Sequence, residues 1–168
     1  MGSEMCIRDR PRSLNLPEPS SDTPSFASLR SALERLEADT RPAWGILDAP
    51  GMLRHCARFM ELYLGAIGVN VGVRLLARLF GPMFLRRFIV KPLGGTPKNM
   101  RTLQSIRADE PGVLDFDSER ALFLQALSGV EALEGEVDHG LYGVMDAEEA
   151  KALVRHHTAH HFHQFGLL

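Results

Sequence analysis

Apolar residues recur at three- and four-residue steps along most of this chain, and no segment keeps the two-residue alternation of a strand, so the pattern predicts an all-α fold. From Ser25 to about Asp39, Phe26, Leu29, Leu33 and Leu36 share one stripe that ends at Arg41-Pro42. A second helix is predicted from Asp48 and Pro50 to about Gly65, aligning Met52, His55, Phe59 and Leu62. Val71 to Val90 is apolar but interrupted by Gly81-Pro82 and four arginines, which predicts two short helices meeting there or one kinked there. Its uninterrupted apolar stretches fall far short of the roughly 20 residues a bilayer span needs. Asp117 to about Leu133 aligns Leu122, Leu124, Leu127, Val130 and Leu133 in a further helix. A turn at Asp138 to Gly143 follows, and Asp146 with Glu149 three residues on opens the last helix in the manner of a capping box. Lys91 to Glu110, carrying Pro92, Gly94, Gly95 and Pro97, reads as a long crossover loop of the kind that often lines a site.

The length of 168 residues suits one domain with a real core, and 45% hydrophobic and 24% charged residues are those of an ordinary soluble protein. A net charge of −2 argues against bulk nucleic-acid binding. The charge is uneven, however: Leu62 to Ala108 holds eight Lys/Arg and no acid, while Asp109 to Glu149 is strongly acidic. Antiparallel helices with complementary faces account for that most simply. Two cysteines, Cys6 and Cys56, make no disulfide framework, and a reducing, cytoplasmic setting is expected. Met5-Cys6-Ile7-Arg8-Asp9-Arg10 resembles the translation of a transposon-end adapter used in sequencing libraries, which points to a metagenomic assembly and removes Cys6 from any functional argument. The proline- and serine-rich run up to Pro24 reads as disordered leader, so residues 1–24 are set apart from a helical domain over 25–168.

The candidate chemistry is imidazole. Six of the seven histidines lie in the last 30 residues, five of them between His156 and His163. His156/His160 and His157/His161 are i, i+4 pairs, each able to grip one ion from one helix face. Extending the apolar stripe from Ala150 through Val154 turns His157 and His161 inward and leaves His156, His160 and His163 toward the flanks or solvent. His55, on the core stripe of the second helix, is the third candidate ligand. Three ligands with an open position is the pattern of a catalytic metal, and three converging imidazoles without an ion would repel when protonated or stay unsatisfied when neutral. His139, in a glycine-flanked turn before the last helix, is a candidate catalytic residue, as a proton shuttle or fourth ligand. Glu61 is expected to face solvent, and Cys56 and Tyr63 to pack.

Three segments together resemble a known family: Gly51-Met52-Leu53-Arg54-His55-Cys56, then His139-Gly140-Leu141-Tyr142-Gly143-Val144-Met145-Asp146-Ala147-Glu148-Glu149, then His157-Thr158-Ala159-His160-His161-Phe162-His163-Gln164-Phe165-Gly166. They look like an uncharacterised family of small bacterial proteins within the DinB/YfiT-like superfamily, and the likeness runs from about Ser25 onward. It implies an up-down-down-up four-helix bundle with a long crossover between its second and third helices. It also implies one divalent ion held by a histidine of the second helix and a His-x-x-x-His pair of the fourth, which match His55, His157 and His161. Here His139-Gly140 stands where relatives tend to have His-Pro, and His156 and Ala159 where they tend to have a lysine or an acid. The groups orienting the imidazoles must therefore come from elsewhere.

Zinc, nickel or iron all suit such a site. The ion would acidify bound water or hold a low-molecular-weight thiol as thiolate, so the resemblance points to a thiol S-transferase or a hydrolase acting on a small molecule. One alternative is a non-enzymatic binding module whose basic Arg74–Lys91 face docks an acidic partner or lipid headgroups, although such a surface also serves as a bundle face or homodimer contact. Another is a structural bundle with a vestigial histidine cluster.

Overall fold

The computed structural model describes residues 14–98, 106 and 113–168. The fold is mostly helical with one small two-stranded sheet, in the order α1 (Phe26–Leu33), α2 (Ala49–Tyr63), α3 (Val71–Ile89), α4 (Phe116–Glu131), β1 (Glu136–His139), β2 (Gly143–Asp146) and α5 (Ala147–Gln164).

Short polar side chains set the helix starts by accepting from otherwise unpaired first-turn N–H groups. Ser25 accepts from Ser28 N, Asp48 from Gly51 N and Asp115 from Ser118 N. Asp146 and Glu149 form the complete capping box expected for α5. Helix α1 is shorter than its apolar stripe suggests: the N–H groups of Arg35 and Leu36 bond three residues back, to Ala32 and Leu33, so the chain tightens out of the α-helix while Leu36 stays buried. Helix α3 runs unbroken through Gly81-Pro82. Gly81 lies against the Tyr142 ring, where an added Cβ would come within 2.4 Å, so the missing side chain permits the close approach.

The all-α expectation is amended at the segment read as a turn. Val137 pairs with Met145 and His139 with Gly143 in an antiparallel hairpin whose Val137, His139 and Met145 side chains point inward. Four-residue strands offer too few alternating positions to register as a periodic pattern.

The core is built where α2 packs on α4 and α5, with α1 against α5. Met52, Leu53 and Met60 of α2 meet Phe123, Leu127 and Val130 of α4 and Leu153 and Phe162 of α5, with Leu29 and Leu33 of α1 joining them. Arg54 forms a two-pronged ion pair with the buried Glu119, tying α2 to α4 beside His55. Helix α3 contacts α5 and buries only Gly81, Leu85 and Ile89. Among the described residues no helix is long and apolar enough to cross a membrane.

Within the segment expected to be leader, the N–H groups of Leu14 and Leu16 each donate to the Glu149 carboxylate at 2.9 Å, and both side chains pack against the core. The adapter-like residues and Cys6 lie outside the described residues, as does most of the expected crossover beyond Lys98. Ile106, the described residue in that stretch, is buried.

Candidate metal centre

Helices α2 and α5 face each other across two i, i+4 pairs. His55 and Phe59 project from α2 toward His161 and His157 of α5. The His55 ring stands 5.1 Å from that of His157 and 4.7 Å from that of His161, and those two rings are 4.8 Å apart. One nitrogen from each of the three lies within 4.8 Å of the others, so the three can hold a metal ion. Phe59 stacks flat on His157 at 3.8 Å and walls one side. The three residues chosen from helix facing are thus the three the fold brings together.

Two of the rings are oriented by hydrogen bonds that also fix which nitrogen is free. His55 Nδ1–H donates to the carbonyl of Ile106 at 2.8 Å, a group that only accepts, so Nε2 keeps its electron pair. Gln164 Nε2 donates to the Trp44 carbonyl at 2.5 Å, which commits the amide oxygen to accept from His161 Nδ1–H at 2.9 Å and leaves the Nε2 of His161 free. Outer partners of this kind orient metal-binding imidazoles. The sequence reading assigned no such role to Ile106, Gln164 or Trp44. Gln164 was detectable as a polar residue one turn beyond His161 on a buried face, whereas the Trp44 and Ile106 contributions are main-chain carbonyls that side-chain identity does not reveal.

The third ring tests whether an ion fits. His157 Nδ1 is buried and has no hydrogen-bond partner among the described residues. An imidazole left that way carries an unsatisfied polar atom, and a cation coordinated at that nitrogen would relieve the cost; His139, His156 and His160 each keep one such buried nitrogen as well.

The electrostatics favour neutral, ligand-competent rings. Burial, then the neighbouring His161 and His55, hold His157 well below the ordinary histidine range. Burial and then His55 bring His161 down to about 3. Burial lowers His55 against the opposing pull of the Ile106 carbonyl.

The remaining histidines divide differently from expectation. His156 does not face the flank or solvent; it is buried, with Nδ1 3.2 Å from the Thr23 hydroxyl and its ring against the edge of Phe88. The residues before α1 and the α3 helix cover that side of α5, which the stripe on α5 alone could not show. His160 and His163 flank the half-buried Trp44 at 6.1 and 5.6 Å. His139 is buried, and its Nδ1 accepts from the N–H groups of Leu141 and Tyr142 at 3.0 and 3.2 Å, so its proton sits on Nε2. Its ring packs on Tyr63 and Tyr142, and among the described residues the ring contacts that link it to His157 run through Tyr63 and Phe59. The described contacts therefore do not bring His139 to the three-histidine cluster. Cys56 is fully buried with its thiol pushed up by desolvation, a packing residue as expected. Tyr63 is buried as well, and Glu61 is half-buried.

A helical protein with a three-histidine cluster between two of its helices is the class that fold and site define. Residues 12–166 match the model of the family described as "Protein of unknown function (DUF1569)", and the chain belongs to that family. No curated protein and no solved structure matches it.

Proposed function

We propose that this chain is a metal-dependent enzyme of the DinB/YfiT-like superfamily, with α1, α2, α4 and α5 as its four-helix bundle and α3 within the crossover. In this reading His55, His157 and His161 hold one divalent ion, zinc, nickel or iron. The observation that carries it is the pinning of His55 and His161 through Nδ1, which leaves each Nε2 free beside a third ring with an unsatisfied nitrogen.

When bound, a divalent ion held by neutral imidazoles supplies Lewis acidity, lowering the pKa of a thiol or water into the neutral range. The protein's part is to keep the three rings uncharged, to fix the tautomers of His55 and His161 through Ile106 and Gln164, and to wall one side of the cluster with the Phe59 ring. Thiol S-transfer is placed ahead of hydrolysis by analogy with the superfamily that the sequence resembles.

Metal analysis of protein purified without a polyhistidine tag tests the first half: about one ion per chain is expected, with loss in His55→Ala and retained helicity. A cobalt-substituted sample tests the second. Added low-molecular-weight thiols should produce thiolate-to-metal charge-transfer bands. A cobalt spectrum indifferent to every thiol, with turnover of an ester or amide panel, would put hydrolysis first. Absence of bound ion and of any thermal shift with these metals would remove the enzyme reading.

A further inference from the structure

Helix α3 is apolar on the side that faces away from the protein as well as on the side that packs. Gly81, Leu85 and Ile89 are buried, yet Leu79, Phe80 and Met83 are 66%, 61% and 65% exposed, and Leu75, Leu76 and Phe84 are exposed with them. A helix apolar on both faces is normally covered on both. At 3.6 residues per turn, Leu76, Leu79, Phe80 and Met83 form a stripe opposite the buried face, and Arg86 and Arg87 fall on either side of it one turn further on. Beyond Met83 a groove of about 230 Å³ is lined by Met83, Phe84, Arg87, Phe88, Lys91 and Pro97: apolar walls with two cations.

Charge decides between the occupants such a face could take. No carboxylate occurs between Leu62 and Ala108, so a two-fold pairing of α3 with α3 of a second copy would set the arginines of one helix, Arg74, Arg78, Arg86 and Arg87, against those of the other with no acid on the element to offset them. An anionic lipid surface meets both requirements at once, taking the apolar stripe among its acyl chains and the cations among its headgroups. The helix is too charged to cross a bilayer, and it lies on the outside of the fold where it can rest in the interface plane.

We propose that α3 is a peripheral membrane-docking element, entering the headgroup layer of an anionic bilayer through Leu76, Leu79, Phe80 and Met83, with Arg87 and Lys91 binding lipid phosphates, while Arg86 donates to the Leu14 carbonyl at 3.0 Å.

Co-sedimentation of the full chain with phosphatidylcholine vesicles, with and without about one-third phosphatidylglycerol, tests this. Binding at least about tenfold tighter to the anionic vesicles is expected, since each basic residue at such a surface contributes about fivefold. High salt should erase most of the difference. Leu79→Ser/Phe80→Ser should lose binding to both vesicles with its circular dichroism unchanged, because neither side chain packs inside the fold. Arg87→Glu/Lys91→Glu should lose the anionic preference. Equal or absent binding to the two vesicles would overturn the proposal, and so would a solution dimer that Leu79→Ser/Phe80→Ser dissociates, since a second copy would then be the cover.

Discussion

His161 and Gln164 lie one turn apart on α5 with imidazole Nδ1 and amide oxygen 2.9 Å apart, and the main-chain carbonyl of Trp44 holds the other end of that amide. The Gln164 carbonyl in turn accepts from Ala43 N at 2.8 Å, so the Ala43-Trp44 connector is clasped to the end of α5 by both the backbone and the side chain of one residue. A connector before α2 thereby sets the tautomer of a histidine near the other end of the chain. Gln164→Leu should weaken zinc binding by about 10- to 100-fold, the usual consequence of losing such an outer partner. Competition with a chromophoric chelator measures it, and an unchanged affinity would show that the His161 ring is held by packing alone.

The chemistry of this site was more legible than its supports. His157 and His161 announce themselves by spacing, and His55 by its place on an apolar stripe, because a helix converts sequence interval directly into facing. The same conversion failed for His156, since the stripe on α5 says nothing of Thr23 and Phe88 arriving from elsewhere to bury it. Helix starts were readable at Asp48 and Asp146, where a side chain does the capping. The hairpin was not, because its register rests on backbone pairing over four residues. The unbroken course of α3 depends on what Gly81 packs against, which no local pattern contains.

The burial of His156 separates two effects that its neighbour combines. Alanine at His157 or His161 should abolish metal binding, whereas alanine at His156 should leave it intact while destabilising the fold by about 1–2 kcal/mol through the lost Thr23 contact and the space left beside Phe88. His163→Ala should change neither. Metal content and urea midpoints on the same four variants resolve the pattern. Loss of metal in His156→Ala with His157→Ala unaffected would mean that the other i, i+4 pair is the ligating one.

Burial of His139 makes the metal-free protein acid-sensitive. Desolvation lowers its folded-state pKa to about 4, while in the unfolded chain it returns to about 6.5. Above that upper value both states are neutral and the group has no effect. As pH falls below it the unfolded state takes up a proton that the folded state refuses, so stability declines until the folded-state value is reached. The slope is at most about 1.4 kcal/mol per pH unit for this one group. Urea denaturation between pH 7 and 5 should show the decline, and His139→Gln should flatten it by up to that amount. An identical slope in the variant would mean that His139 becomes protonated without unfolding.

The Arg54–Glu119 pair carries a different kind of risk, because Glu119 is 2% exposed and cannot reach water on its own. Removing Arg54 strands that carboxylate, and Arg54→Met should cost about 3 kcal/mol or more. Glu119→Leu should cost less, since the Arg54 side chain retains about a quarter of its exposure and can turn outward. The double variant Arg54→Met/Glu119→Leu should recover most of the loss by leaving no charge behind. Zinc affinity should fall by less than about tenfold in all three, because the neighbouring His55 is oriented by the Ile106 carbonyl rather than by this pair. Urea midpoints and chelator competition on the cycle decide it. A double variant as unstable as Arg54→Met would show that the pair sets the packing of α2 on α4 and does more than neutralise a buried acid.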